Sequence, residues 1–455
     1  MFADTAPSWE ALDARVASLK EKHGQPLEAD LENGPTTPHA LVRRFGSTEE
    51  PRVLLYRDHA AWCPYCQKIW MQLEEKRIPY RIEKINMRCY GDKKKSFTAK
   101  VPSGMLPVVE IDGVIMTESA VIAATLEREF PDHTPLVPPA GTPESKRATD
   151  LNRLERALFS RWMQWLTAGW MDGQNRSGFE EALDVVEQEL ASAPDGGPYF
   201  MGAELSLVDI TFTPFLERMA ASLAYYKGLK IEGNGGRWPA LDRWYAAMAS
   251  RADTYAHIKS DYYTHCHDLP PQLGGCEPNG DEEQQAFRAE IDGIASQHGD
   301  SWRLPLAPLG PESPEPSWTG EAPELDRLEA AAKLIGNHDA VVRFAARGCG
   351  SKGDRPVGAP LSDPTAKPGE AHVPAVDAAL RRVCHELLEG TAVGGAVGAH
   401  LVGAGAEGAQ LAGEPAVKSL AYLRDRVGVP RDMHFPAARQ LRAHLNWFID
   451  SVGAA

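Results

Sequence analysis

Arg57-Asp58-His59-Ala60-Ala61-Trp62-Cys63-Pro64-Tyr65-Cys66-Gln67 is the stretch that decides how this chain is read. Before it, Val53-Leu54-Leu55-Tyr56 is an apolar run of buried-strand type; after it, Ile69, Trp70 and Leu73 repeat at helical spacing. The two cysteines therefore stand at a strand-to-helix turn. Pro64 falls at the first helical position, where its fixed φ fits and its missing N–H removes no hydrogen bond. Cys63 precedes the first turn, where free backbone N–H groups and the positive end of the helix dipole favour a thiolate. Cys66, one turn inside, is expected to be partly shielded. Two cysteines at this spacing also form half of a zinc site, but that needs a second pair of ligands. Beside a strand–helix–strand pattern the spacing points to a redox turn.

The 455 residues leave room for two to three domains, and 43% apolar residues suffice for more than one core. Seven scattered cysteines, an odd number, do not resemble a secreted disulfide framework and point to a reducing, cytoplasmic setting. A formal charge of −15 argues against nucleic acid and anionic membrane as main partners, because both need clustered positive charge. The Met1 to Lys20 segment has no apolar core of signal-peptide type and carries acidic residues, so no leader is expected.

Around the redox turn the pattern is of short elements. Trp9 to Glu21, with Leu12, Val16 and Leu19 on one face, predicts an amphipathic helix within an N-terminal extension, 1–50, that straps onto the body. Tyr80-Arg81-Ile82-Glu83-Lys84 alternates as a half-covered strand does and completes a βαβ unit. The loop beyond it holds Cys89 and Lys93-Lys94-Lys95, either a solvated patch or a place where one lysine meets an anionic ligand. In the run Ser103 to Met116, two strands meet at Asp112-Gly113, a favoured hairpin turn. Pro107 opens the first strand, and a cis bond there would leave the Leu106 backbone open to an extended peptide. Glu118 and Ser119 begin a helix over Ala120 to Phe130, as simple caps or as the receiver of a ligand carboxylate.

A proline-rich linker, 134–145, leads into an all-helical region, 146–280. Leu151, Leu154, Leu158, Trp162 and Trp165 mark one long helix, and Phe179 to Leu190 a second. Ser206 and Asp209 form a capping box with Leu205 and Ile210 as its staple, starting a buried helix in which Pro214 suggests a bend. Trp238 to Met248 is the next helix.

The ordered combination of Cys63-Pro64-Tyr65-Cys66, Met105-Leu106-Pro107, Glu118-Ser119 with Ile122, and the Ser206/Asp209 box resembles the glutathione transferase superfamily over residues 51 to about 280. Cysteine in place of the usual tyrosine or serine is similar to the cysteine-type classes. The Trp62–Lys68 context and the tail run Tyr422–Met433 resemble the iota class of photosynthetic organisms. The resemblance implies an α+β, thioredoxin-like domain over 51–133, an all-helical transferase domain, and a mostly helical extension, 281–455. It implies Cys63 as catalytic thiol with Cys66 as a possible resolving partner. It also implies glutathione as co-substrate, held by the Leu106 backbone beside a cis Pro107, by Glu118 with Ser119, and by Lys93. The expected activity is deglutathionylation and reduction of small disulfides or dehydroascorbate, without a metal. The alternatives are a noncatalytic scaffold and conjugation of electrophiles in an apolar pocket that could include Trp162 and Trp165, although those tryptophans read first as core. Relatives allow a homodimer, and a plastid stroma as the alternative compartment.

Two features stand outside the resemblance. His265-Cys266-His267 with Cys276 is either a metal cluster or a loop wrapped on the helical domain. In the extension, Leu325 to Phe344, Val376 to Leu388, Val417 to Val427 and Phe435 to Ile449 have helical periodicity. Gly390 to Glu414 between them reads as a loose connector, too polar and glycine-rich to cross a membrane. Arg424, Asp425, Arg426, Arg431 and Asp432 suggest an ion-pair network or part of a docking module for a protein partner.

Overall fold

A computed structural model describes residues 6–87, 90–234, 236–294, 301–310, 313–316, 318, 322–353, 363–390 and 406–453. Cys89 lies outside them. The chain divides into two compact units: Asp30–Ile291 with Gly310–Ser317, and Met1–Ala29 with Asp292–Leu309 and Trp318–Ala455.

The first unit is built on a five-stranded sheet in the order β1-β3-β2-β4-β5. Its strands are β1 (Val42–Arg43), β2 (Val53–Asp58), β3 (Tyr80–Ile85), β4 (Val108–Ile111) and β5 (Val114–Met116). β2 lies at the centre, parallel to β3 and antiparallel to β4, and Val53 and Leu55 are wholly buried. A parallel neighbour needs a crossover, and α2 (Pro64–Lys76) supplies it. The β4–β5 hairpin turns at Asp112 and Gly113, with φ of 50° and 86°, as a turn matched to strand twist demands. Residues 30–50 wrap the sheet as well as extending it. β1 pairs with β3, and buried Arg43 donates to both Glu74 carboxylate oxygens at 2.9 and 3.0 Å.

Beyond α3 (Lys95–Lys100) and α4 (Ser119–Glu129), the chain becomes helical: α5 (Pro143–Thr167), α6 (Asp172–Ala191), α7 (Leu207–Lys227), α8 (Pro239–Ala249), α9 (Tyr255–Ile258), α10 (Tyr262–Leu273) and α11 (Glu282–Ile291). This is a thioredoxin-like sheet followed by the helical domain of the glutathione transferase fold. α7 is buried along nearly its whole length, so its start must be satisfied internally. Asp209 does this, accepting from Ser206 N (2.9 Å), Ser206 Oγ (2.6 Å), Phe200 N (3.0 Å) and Trp244 Nε1 (3.0 Å).

In the second unit, α1 (Trp9–Lys22) packs on α12 (Pro323–Ile335) and α14 (Val373–Glu389). With α13 (His338–Ala345), α15 (Ala406–Arg424) and α16 (Phe435–Gly453) they enclose a core that includes Leu12, Val16, Leu334, Leu380, Leu420 and Leu445. Trp9 Nε1 donates to Asp377 at 2.7 Å, and Arg15 pairs with Glu389 at 2.8 Å. The helix expected over Leu325–Phe344 is broken at Gly336-Asn337, two poor helix formers in succession. The connector expected over Gly390–Glu414 is helical from Ala406 onward, where Ala, Glu, Gln and Leu outweigh two glycines. Arg424 and Arg431 each pair with the acidic residue that follows, at 2.8 and 2.7 Å, and Arg431 also donates to the Arg426 carbonyl. No helix among the described residues is long and apolar enough to cross a membrane.

Because Leu12 is 2% exposed within this core, Leu12→Ala is expected to destabilise the second unit by about 2–4 kcal/mol. Urea unfolding followed by hydrogen exchange in α12 and α14 measures it; α5 and α7 should keep their protection.

Candidate functional site

Strand register brings the sequence motifs to one end of the sheet. Tyr56 pairs with Val108, so the end of β2 lies beside the start of β4, where Pro107 stands. Met116 pairs with Val109, which returns the end of β5 to the same edge, followed by Glu118 and Ser119. Asp58 and Ile85 are partners in the parallel pair, so the loop carrying Lys93 leaves β3 at that end too.

Cys63 is the N-cap residue of α2 and Pro64 its first residue. The Cys63 carbonyl accepts from Gln67 N at 2.9 Å. Cys63 is half-buried, whereas Cys66 is 1% exposed. Burial pushes the Cys66 thiol well above its ordinary range, and the hydrogen bond to Cys63 and the charges of Cys63 and Asp58 push it further. At neutral pH Cys66 is thus a neutral thiol that donates toward the Cys63 sulfur.

The turn entering α2 is held from below. Asp58, 1% exposed, accepts from Trp62 N at 2.6 Å. Ligand atoms of Asp58, Cys63 and Cys66 lie within 4.8 Å of one another. Among the described residues this is the group placed to offer three such donors. The other metal candidate is not assembled. His265 and Cys266 are buried in α10, a helix where a loop was expected, because Asp261 caps it by accepting from Thr264 N at 3.0 Å. Cys266 donates to the Ala221 carbonyl at 3.4 Å, and Cys276 lies beyond the helix with its thiol pushed up to about 12 by burial.

The expected glutathione-binding residues line this end of the sheet. The Leu106–Pro107 bond is cis; Pro107 is buried, and Leu106 packs partly on Tyr56, Phe97 and Val108. A Cβ on Gly104, which has φ +65°, would lie 3.5 Å from Lys93 Cδ, so the lysine stem runs along the loop before Pro107. Glu118 is the N-cap of α4 at φ 67°, ψ 109°, outside the favoured regions for a residue with a Cβ. Its carbonyl accepts from Ile122 N at 3.0 Å and its side chain is exposed. Ser119 opens the helix. Trp162 and Trp165 are core residues, 2% and 0% exposed, as their first reading has it, and do not wall an apolar pocket. Their indole nitrogens are bound to Ser222 Oγ (2.9 Å) and Asp172 (2.8 Å).

Sequence reading missed Asp58 and a buried polar group from α7. Arg218 donates to the Trp62 carbonyl and, at 3.1 Å, to Gln67 Oε1; Gln67 Nε2 donates to Glu217 at 3.0 Å. Burial would raise the Glu217 carboxyl, but His265, 3.5 Å away, and Arg218 hold it below its ordinary range. Burial, with the Arg218 charge, lowers His265. The available signal was two adjacent charged residues inside an otherwise apolar helix.

Residues 62–129 match the family model of the glutathione S-transferase N-terminal domain, and residues 164–247 that of the C-terminal domain. The chain is 26% identical over 169 residues to glutathione S-transferase DHAR2 of Arabidopsis thaliana, covering 37% of this chain and 72% of the relative. It is 28% identical over 170 residues to the chloroplastic DHAR3 of the same plant, covering 37% of this chain and 59% of that one. The glutathione transferase Omega 3C structure from Trametes versicolor is 28% identical, with a TM-score of 0.39 over 45% of this chain and 88% of that one. Two segments of the chain are thus similar to the two domains of glutathione S-transferases, in the order in which that family has them.

The Glu118 backbone gives a direct test. Glycine adopts that conformation without the Cβ clash, so Glu118→Gly should stabilise the sheet-bearing unit by about 1 kcal/mol. Glu118→Val should destabilise it; thermal melts of both variants check the sign.

Proposed function

We propose that the protein is a glutathione-dependent thiol transferase and reductase of cysteine type, resembling the iota class, acting through Cys63. The observation that carries this reading is the contrast within one turn: a half-buried cysteine at the N-cap of α2 and a fully buried one at Cys66. The relatives whose names carry DHAR support a reductive role.

Thiol exchange needs an accessible attacking sulfur in line with the disulfide. The Cys63 thiolate attacks the glutathionyl sulfur of a mixed disulfide, forming a Cys63–glutathione disulfide as the substrate thiolate leaves and takes a proton. A second glutathione thiolate then attacks the adduct, releasing oxidised glutathione and regenerating Cys63. The sum is one mixed disulfide and one glutathione converted to one free thiol and one oxidised glutathione. With dehydroascorbate, two glutathiones supply the two electrons and two protons. In this reading the Leu106 backbone pairs with the cysteinyl part of glutathione, Glu118 and Ser119 hold the γ-glutamyl end, and Lys93 meets the glycyl carboxylate.

The burial of Cys66 favours release by external glutathione over attack from within. The second glutathione attacks the glutathionyl sulfur of the adduct and the Cys63 thiolate leaves, whereas Cys66 would first have to give up a proton that burial holds on it. Conjugation loses its support where Trp162 and Trp165 lie in the core.

Cys63→Ser is expected to lower thiol transfer from a glutathionylated peptide at least about a thousandfold. Cys66→Ser should keep it within about threefold. Steady-state kinetics and intact mass after oxidised glutathione read both. Full activity in Cys63→Ser would end the reading, and loss of activity in Cys66→Ser would replace the single-thiol route by a dithiol one.

A further inference from the structure

Arg218 lies on α7, in the helical domain, yet most of its hydrogen bonds end on the redox turn. It is 1% exposed. One guanidinium nitrogen donates to the carbonyl of Trp62, the residue before Cys63. The other donates to Gln67 Oε1, in the residue after Cys66, at 3.1 Å, and to the Pro214 carbonyl of its own helix at 2.6 Å. The guanidinium also stacks on the Trp62 ring, 4.7 Å from its centroid, and faces Glu217 at 3.8 Å. The four residues Cys63-Pro64-Tyr65-Cys66 are thus bracketed by contacts from a single side chain.

We propose that Arg218 is a positioning residue for the reaction at Cys63: by gripping Trp62 and Gln67 at once, it fixes the direction in which the sulfur leaves the turn. This deepens the thiol-transfer reading and rests on it. The peptide plane between Trp62 and Cys63 determines where the Cys63 side chain starts, and the Trp62 carbonyl is one end of that plane. Asp58 holds the other side of Trp62 through its N–H, so the residue is fixed from β2 and from α7 together. Disulfide exchange needs near-linear alignment of three sulfurs, and small misplacements slow such reactions steeply.

The side-chain chemistry points the same way. A planar fork with several donors can serve two acceptors on opposite sides of a turn; an ammonium on a flexible stem cannot do so with the same geometry. Stability alone does not explain a guanidinium there, because replacing a buried charged group by an apolar one of similar volume is often neutral or stabilising. Burial lowers the Arg218 pKa, while the charges of Glu217, Cys63 and Asp58 oppose that shift. The cation is therefore retained beside the sulfur.

The test uses the full-length chain. Wild type, Arg218→Met and Arg218→Lys are reduced and mixed with oxidised glutathione, and adduct formation at Cys63 is timed by intact mass. kcat and KM for glutathione are measured in parallel. Arg218→Met should form the adduct about ten- to a hundredfold more slowly, with KM for glutathione within about twofold of wild type. Arg218→Lys should recover part of the rate. Should Arg218→Met fail to fold, Gln67→Leu removes one anchor alone and should slow the adduct in the same sense. Adduct formation at the wild-type rate in Arg218→Met, or in Gln67→Leu where that variant stands in, overturns the inference alone. A rate loss matched by loss of near-ultraviolet circular dichroism, with no recovery in Arg218→Lys, overturns it too. A wild-type Cys63 that takes up no glutathione overturns the thiol-transfer reading and this inference with it.

Discussion

The pairing of Tyr56 with Val108 is the constraint on which the candidate site depends. It places the end of a strand running one way beside the start of a strand running the other. Whatever follows β2 and whatever precedes β4 must then share one edge of the sheet. Val108 and Val109, successive residues on opposite faces, are both wholly buried, so β4 is covered on both sides. The turn at Cys63, the cis Leu106–Pro107 step and, through the hairpin, Glu118 come to one edge of the sheet because of this register.

A second layer of order comes from the helical domain. Gln67, Glu217, Arg218 and His265 are all nearly inaccessible, and polar groups in such a place are costly unless each finds a partner. Gln67 resolves the conflict by offering its amide nitrogen to Glu217 and its oxygen to Arg218. α2 is consequently tied to α7 by directional bonds as well as by apolar packing, which fixes how α2 sits as well as how deeply.

Much of this was legible in the chain itself. The Cys63-Pro64 junction, the Asp112-Gly113 hairpin and the Ser206/Asp209 box are local, each dictated by the conformations of two to four adjacent residues. The hidden part was nonlocal. Nothing near Arg218 in sequence says that its guanidinium meets a carbonyl 156 residues away, and Asp58 acquires its place only once the turn folds back over it. Trp162 and Trp165 read first as core and are core, although helical spacing alone shows which face of α5 is apolar and not whether that face meets a ligand or another helix. In the extension the periodicity located the helices, while the cap of each depended on single residues such as Gly336, whose cost to a helix is small enough for packing to decide.

The two cysteines show what burial does to chemistry that sequence presents as equivalent. Both thiols belong to one turn of one helix, and a motif counts them alike. Folding leaves Cys63 half-buried and encloses Cys66 entirely, with the Asp58 carboxylate beside the pair. Each of those changes disfavours charge on Cys66, so the buried member of the pair is held as a neutral hydrogen-bond donor. For Cys66 to attack a sulfur at Cys63 it would first have to lose a proton that burial and the neighbouring Asp58 charge hold on it. The same packing that orders the turn thus makes two thiols of one motif unlike in the ease with which each ionises.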